Sequence, residues 1–389
     1  AYSLGIVSED RLSYSVKKIL KAKYKVGLNK YQSIDLNNLS NDLNTIEDQV
    51  LNYDAMGKAL TLLKNKNNII PLKSKSVLGH IVLGDDSGEF FEKQLEKYNL
   101  IKKIKNVTSG NVLEKTINID TLIISFHRSN STPWKASGFS NEQRKIISKI
   151  AKNKTLILDV FVKPYALSVL ESIKGIDALL LSYQNSEDSQ ELSADAIFGA
   201  QKISGSLPVD VSELYQEGAG IDQNKLHRMG YASAISLGFD SDKLKAIDDL
   251  AQVAIDSIMT PGIRVLVSRK GKIFYDKSFG YHTYKKERKV QANHLYDLAS
   301  LTKILGTLPL VIKAVGKNEM NLETTVGDLI PEWIDSDKAQ ISLKEMLSHQ
   351  ARLFPWIPFY KETLNSKGNP MRSIYKKKKI KSFSLPVTS

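Results

Sequence analysis

The sequence predicts an α/β protein in which one sheet is covered on both faces, with a second, α+β unit behind it. Short apolar runs alternate with amphipathic stretches between residues 77 and 182, the pattern of parallel strands separated by helices. Further on, Ile263–Val267 and Ile273–Tyr275 flank Lys270-Gly271-Lys272, which signals a hairpin. Beyond it, the extended lead-in Tyr296-Asp297-Leu298-Ala299 gives way at Ser300 to a helical pattern and an apolar run from 304 to 315. A chain of 389 residues admits two domains or slightly more.

Taken in order, Ser8 before Glu9 and Asp10 reads as a helix cap with an acidic first turn. Leu12, Val16, Ile19 and Leu20 recur at helical spacing until Gly27, and a polar linker follows. Val77–Leu83, Thr121–Phe126, Thr155–Val160 and Ala178–Ser182 are predicted strands, with helices over Phe91–Lys97 and Glu142–Lys152. Residues 216–240 are rich in glycine and small side chains and read as a second linker. Leu244, Ile247, Leu250, Ala251, Ala254 and Ile258 then form a helical stripe. Pro309, inside the helix that follows Ser300, is expected to bend it or to end its first segment.

Hydrophobic content of 42% and charged content of 25% are ordinary for a globular chain. No apolar window approaches ~20 residues, so no transmembrane segment is expected. The lack of cysteine excludes disulfides, thiol nucleophiles and thiolate zinc sites, and neither a cofactor nor a metal is expected. A net charge of +13 raises nucleic acid as a partner, and a basic binding protein is one open reading. The lysines, however, are spread over helix faces such as Lys17, Lys18 and Lys21, and the dense run at 376–379 lacks interleaved aromatics. A solvated face fits better, so no nucleic-acid partner is expected.

Ser300 and Lys303 form a Ser-x-x-Lys pair. Three residues apart on a helix they share a face, and the helix start supplies unpaired N–H groups that favour a developing negative charge. A buried amine there would lose its proton readily and activate the serine. The tetrapeptide is not specific, since Ser15-Val16-Lys17-Lys18 and Ser373-Ile374-Tyr375-Lys376 also fit it. On residue type alone, Ser300 is either a nucleophile or an ordinary capping serine.

The segment from about Pro261 to Pro358 resembles the first half of a class C β-lactamase or penicillin-binding-protein type serine hydrolase. Pro261-Gly262, Ala299-Ser300-Leu301-Thr302-Lys303, Val326-Gly327-Asp328-Leu329-Ile330-Pro331 and the run from Ile341 to His349 carry the likeness. It implies that Ser300 is the nucleophile and Lys303 its base. Gln350-Ala351-Arg352-Leu353 departs from that family's Thr-Ser-Gly-Leu, and His349 is read as structural.

Ser8 to Leu28 resembles the last barrel helix of family 3 glycoside hydrolases. The run from Ala55 to Asn65 with Ile69-Ile70-Pro71-Leu72, and Ala196-Ile197-Phe198-Gly199-Ala200 with Ser204 to Val209, resemble the two ends of their α/β sandwich domain. His127, Arg128, Tyr183 and Gln184 follow strand ends and are candidates for a sugar cleft, with plain loop residues as the alternative. Asp85-Asp86 and Glu187-Asp188 are adjacent pairs, unsuited to carboxyls set ~5–10 Å apart across a glycosidic bond, and read as solvated turns.

The resemblances imply a barrel helix over 1–28, a linker over 29–54, the sandwich over 55–215, a linker over 216–241 and a partial serine hydrolase domain over 242–389. They imply a fragment of a fusion between a β-N-acetylhexosaminidase and a β-lactamase-like domain. The glycosidase carboxylates would precede Ala1, and no Tyr-x-Asn, Lys-Thr-Gly or His-x-Gly segment follows Ser300. The expected isolated chain is inactive in both reactions, its parent acting on carbohydrate or peptidoglycan-derived substrates in the periplasm or at the cell surface. The alternative is a non-catalytic module that binds peptidoglycan or a partner.

Overall fold

Six strands in the order β1-β6-β5-β4-β2-β3 organise the first part of the chain. They are β1 (Thr61–Asn65), β2 (Leu78–Gly84), β3 (Ile101–Lys103), β4 (Thr121–His127), β5 (Thr155–Phe161) and β6 (Ala178–Leu181). β2 to β6 run parallel, and β1 closes one edge antiparallel to β6. The computed structural model describes residues 2–33, 35–73, 76–129, 138–170 and 172–376. The chain divides into two compact units, Ala1–His294 and Leu295–Ser389.

Both faces of the six-stranded sheet are buried, which is why β4 and β5 read as near-continuous apolar runs. On one face Phe91 and Leu95 of the helix Glu89–Glu96, with Leu192 and Ile197 of the helix Glu187–Ile197, pack with Ile123, Ile157 and Leu180. On the other, Ile146, Ile147 and Ile150 of the helix Asn141–Asn153 join a cluster with Ile81, Ile124 and Leu158. Neighbours in sequence, such as Ile123 and Ile124, fall in opposite cores because strand side chains alternate. The helices start where their caps stand: Ser140 forms a capping box with Gln143, and Ser186 accepts from the amide of Ser189.

The predicted strands and helices fall within a residue or two of these elements. Two details differ. The expected first linker holds the helix Ile46–Ala59 from residue 46 onward, opened by a Thr45–Asp48 capping box. The expected second linker is fixed to the sandwich by its backbone: Ile221 N donates to Leu62 O at 2.8 Å, and Leu226 N to Gly199 O at 2.7 Å. Irregular hydrogen bonding of this kind leaves no periodicity to read. The helix Glu9–Lys25 is capped by Ser8 as expected and ends before Gly27, whose φ is 79°.

A second sheet, ordered β7-β9-β8, also lies in the first unit. β8 (Gly262–Arg269) and β9 (Lys272–Gly280) form the expected hairpin. Its central turn residues, Lys270 and Gly271, both have positive φ, 51° and 76°. That is the demand of a two-residue type I′ turn, which glycine meets without a Cβ clash. β7 (Gly230–Tyr231) pairs parallel with β9, Gly230 opposite Lys272 and Tyr231 opposite Ile273. Lys272 is buried, its Nζ 2.5 Å from Oδ2 of the fully buried Asp195. Asp195 Oδ1 also accepts from Gln94 Nε2 and Tyr98 Oη, both at 2.6 Å. Phe274 stacks on Phe239 with ring centres 4.5 Å apart. β8 is the outer strand of this sheet.

In the second unit, capping boxes open two short helices, Val326–Leu329 from Thr325 with Asp328 and Leu343–Leu347 from Ser342 with Glu345. Asn365–Asn369 closes the expected surface turn, with Gly368 at φ 73°. Of the basic run at 376–379, residues 377–379 lie outside the described residues.

Candidate active site

Ser300 sits in a tight turn whose geometry is set by the residues before it. The Asp297 carboxylate accepts the Ala299 amide at 2.9 Å, and Leu301 N donates to Leu298 O, also at 2.9 Å. Ala299 takes φ +43°, the left-handed region that side chains with a Cβ rarely adopt. Ala299–Leu301 is a 3₁₀ turn, followed by a π-helical turn over Lys303–Thr307 and an α-helix over Leu308–Gly316. A helical segment therefore does begin at the Ser300 turn, although Leu298 before it is already in the helical region and not extended.

Pro309 explains the π turn. It has no N–H to offer the carbonyl four residues back, and its ring crowds that carbonyl. The turn before it widens instead, with Leu308 N reaching Lys303 O. The proline thus ends the first helical segment, one of its two expected effects.

Lys303 Nζ donates to Ser300 Oγ at 3.1 Å, so the two predicted residues meet. Both are exposed, whereas the chemical argument from sequence placed the amine in a buried setting. The helical run Ala299–Gly316 spans 18 residues and is long and apolar enough, by length and composition alone, to cross a membrane. Leu301, Ile304, Leu305, Leu310 and Ile312 on it are all more than half exposed.

The sandwich positions its polar residues differently from the sequence reading. His127 is a buried residue at the end of β4, not a cleft wall. Its Nδ1–H donates to Asn185 Oδ1 at 2.7 Å, and burial pushes its pKa down to about 4, which keeps the ring neutral. Tyr183 Oη is 2.9 Å from Thr61 Oγ1. Asp85 pairs with Arg128 at 2.9 Å, and Asp86 accepts the Ser87 amide. Glu187 and Asp188 are not a solvated turn: they open a helix, and half-buried Asp188 accepts from Ser236 Oγ at 3.1 Å.

One constellation in the sandwich has the distances of a catalytic triad. His80 Nε2 is 2.8 Å from Ser125 Oγ, and His80 Nδ1 is 3.1 Å from Glu92 Oε2. The hydrogen bond from His80, with Lys103 at 2.8 Å, holds the Glu92 carboxyl down at about 2. Ser125, however, is fully buried inside β4, beyond the reach of any substrate. The trio is a strut between two strands and the helix over them.

Sequence reasoning passed over Asp297. The available signal was an aspartate two residues before a residue forced into a left-handed turn, a pattern that closes Asx turns.

Two family models match this chain. Residues 60–240 match the family model described as the glycosyl hydrolase family 3 C-terminal domain, and residues 247–379 match the model described as beta-lactamase. The chain joins a family 3 glycosyl hydrolase C-terminal domain to a β-lactamase-type domain, and the Ser300 turn falls in the second. Among curated relatives, Beta-glucosidase C of Emericella nidulans is 26% identical over 208 residues, 53% of this chain and 32% of the relative. Protein flp of Staphylococcus aureus is 23% identical over 137 residues, 34% of this chain and 27% of the relative. The chain thus spans between about a quarter and a third of the length of these relatives. Among solved structures, the beta-glucoside phosphorylase BglX aligns with a TM-score of 0.41 at 16% identity, covering 54% of this chain and 40% of that one.

Proposed function

We propose that the β-lactamase-type domain is a serine acyl hydrolase in which Ser300 is the nucleophile and Lys303 its base. One observation carries this reading: the 3.1 Å contact between Lys303 Nζ and Ser300 Oγ on an exposed turn, inside the matched segment. In the proposed reaction, Ser300 Oγ attacks the carbonyl carbon of an ester or amide while its proton passes to the unprotonated Lys303 amine. Lys303 then returns that proton to the leaving group, and water hydrolyses the acyl-serine to free Ser300 and a carboxylic acid. The sandwich would serve glycosidic cleavage of β-N-acetylhexosaminides, making the substrate carbohydrate or peptidoglycan-derived and the site of action periplasm or cell surface. The motifs at 55–72 and 196–209 support the glycosidase half, and the amino-sugar preference rests on sequence resemblance.

Labelling of the natively expressed protein with a fluorophosphonate or penicillin probe tests the serine half, and Ser300→Ala is expected to abolish it. Persistent labelling of that variant would refute the assignment. Chromogenic N-acetylglucosaminide and glucoside, compared side by side, test the sugar preference. The loop at His349–Arg352 favours a second reading, a module that holds its ligand without turnover. Arg352 there takes positive φ, 56°, where the resembled family has glycine. Binding of peptidoglycan fragments without probe labelling would be its signature.

A further inference from the structure

We infer that Asp297 is a positioning residue for Ser300: its carboxylate fixes the left-handed turn that presents Ser300 Oγ to Lys303. Its catalytic consequence rests on the serine-hydrolase reading above. The turn itself does not.

Ala299 sits at φ +43° with a methyl side chain, a conformation that an unconstrained chain leaves. No side chain caps the helix start at Leu298 or at Thr302. What holds the turn from the side-chain direction is the 2.9 Å bond from the Ala299 amide to Asp297 Oδ1, one peptide unit before the nucleophile. Releasing that amide lets Ala299 relax toward negative φ, which swings the following residue. Lys303 is fixed separately, because its carbonyl is committed to Leu308 N in the π turn. The Ser300–Lys303 contact therefore depends on the upstream residue to hold its serine end. Only an acceptor oxygen is required at 297. The negative charge is dispensable.

The experiment compares wild type, Asp297→Asn, Asp297→Ala and Ser300→Ala in the natively expressed protein. It reads the fluorophosphonate inactivation constants and the hydrogen-exchange rate of the Ala299 amide. Asp297→Asn keeps the acceptor and is expected to stay within about threefold of wild type in both readouts. Asp297→Ala is expected to lose on the order of tenfold to a hundredfold in the limiting inactivation rate, with the probe's half-saturation concentration unchanged. Its Ala299 amide should also exchange faster. An alanine variant that matches wild type overturns the inference, as does an asparagine variant as slow as alanine. If wild type fails to label, or Ser300→Ala labels as strongly, the hydrolase reading falls instead. Amide exchange still decides whether Asp297 holds the turn: faster exchange in alanine but not asparagine upholds it, and equal rates refute it.

Discussion

At the centre of β5, Asp159 is fully buried, with the hydroxyls of Ser182 and Ser193 donating to its two oxygens. Burial dominates those hydrogen bonds and pushes its pKa up to about 7, so the fold accommodates the protonated acid. An unfolded aspartate titrates near ~3.9. Between those values the folded state keeps a proton that the unfolded state has lost. Stability is therefore fullest below the unfolded value, falls as pH rises through the window, and levels off above about 7. The loss from pH 5 to pH 8 should be roughly 2–3 kcal/mol for this group alone. Glu191, likewise raised by burial to about 7, adds a loss of the same sign. Urea unfolding at pH 5 and pH 8 should show Asp159→Asn markedly less pH-dependent than wild type, and an unchanged slope would refute the assignment. At this scale the sequence was uneven. The spacing of Ser300 and Lys303 announced their contact because helical geometry dictates it. Asp159 and His80 announced nothing, since their partners lie on other elements, 12 to 45 residues away.

Among the elements, the β8–β9 hairpin shows what local chemistry makes legible. Short apolar runs on either side of Lys270-Gly271 specify both strands and the turn without reference to the rest of the chain. β7 was illegible for the opposite reason: two residues carry no period, and only β9 makes them a strand. The buried Lys272–Asp195 pair likewise joins residues 77 apart in sequence. Replacing Lys272 by methionine would leave a carboxylate buried with only Gln94 and Tyr98 as donors, costing about 3–5 kcal/mol. Thermal unfolding should show a clear drop for Lys272→Met and partial recovery on adding Asp195→Asn, whose carbonyl still accepts from both donors. A single variant as stable as wild type would show that the pair contributes little. Pro309 was visible as a break, but the widened turn it produces was not, because sequence pattern does not separate a bend from a π turn.

Over the whole molecule, the two units differ in how much they bury. The sandwich carries apolar cores on both faces of its sheet, while among the described residues of Leu295–Ser389 the buried apolar side chains are Val326, Ala339 and Leu343. Native-state hydrogen exchange should find the slowest amides in β2, β4, β5 and β6, with those at 299–316 opening at much lower free energy. Equal protection in both regions would contradict this. The alternation of strands and helices made the sandwich legible because each of its elements buries a face. The unit carrying Ser300 gave only motifs, since few of its side chains are packed tightly enough to impose a period. The β7-β9-β8 order also gives the small sheet a direction. β7 already occupies part of the flank of β9, so a further strand joining by backbone hydrogen bonds has its longest unclaimed docking line along β8.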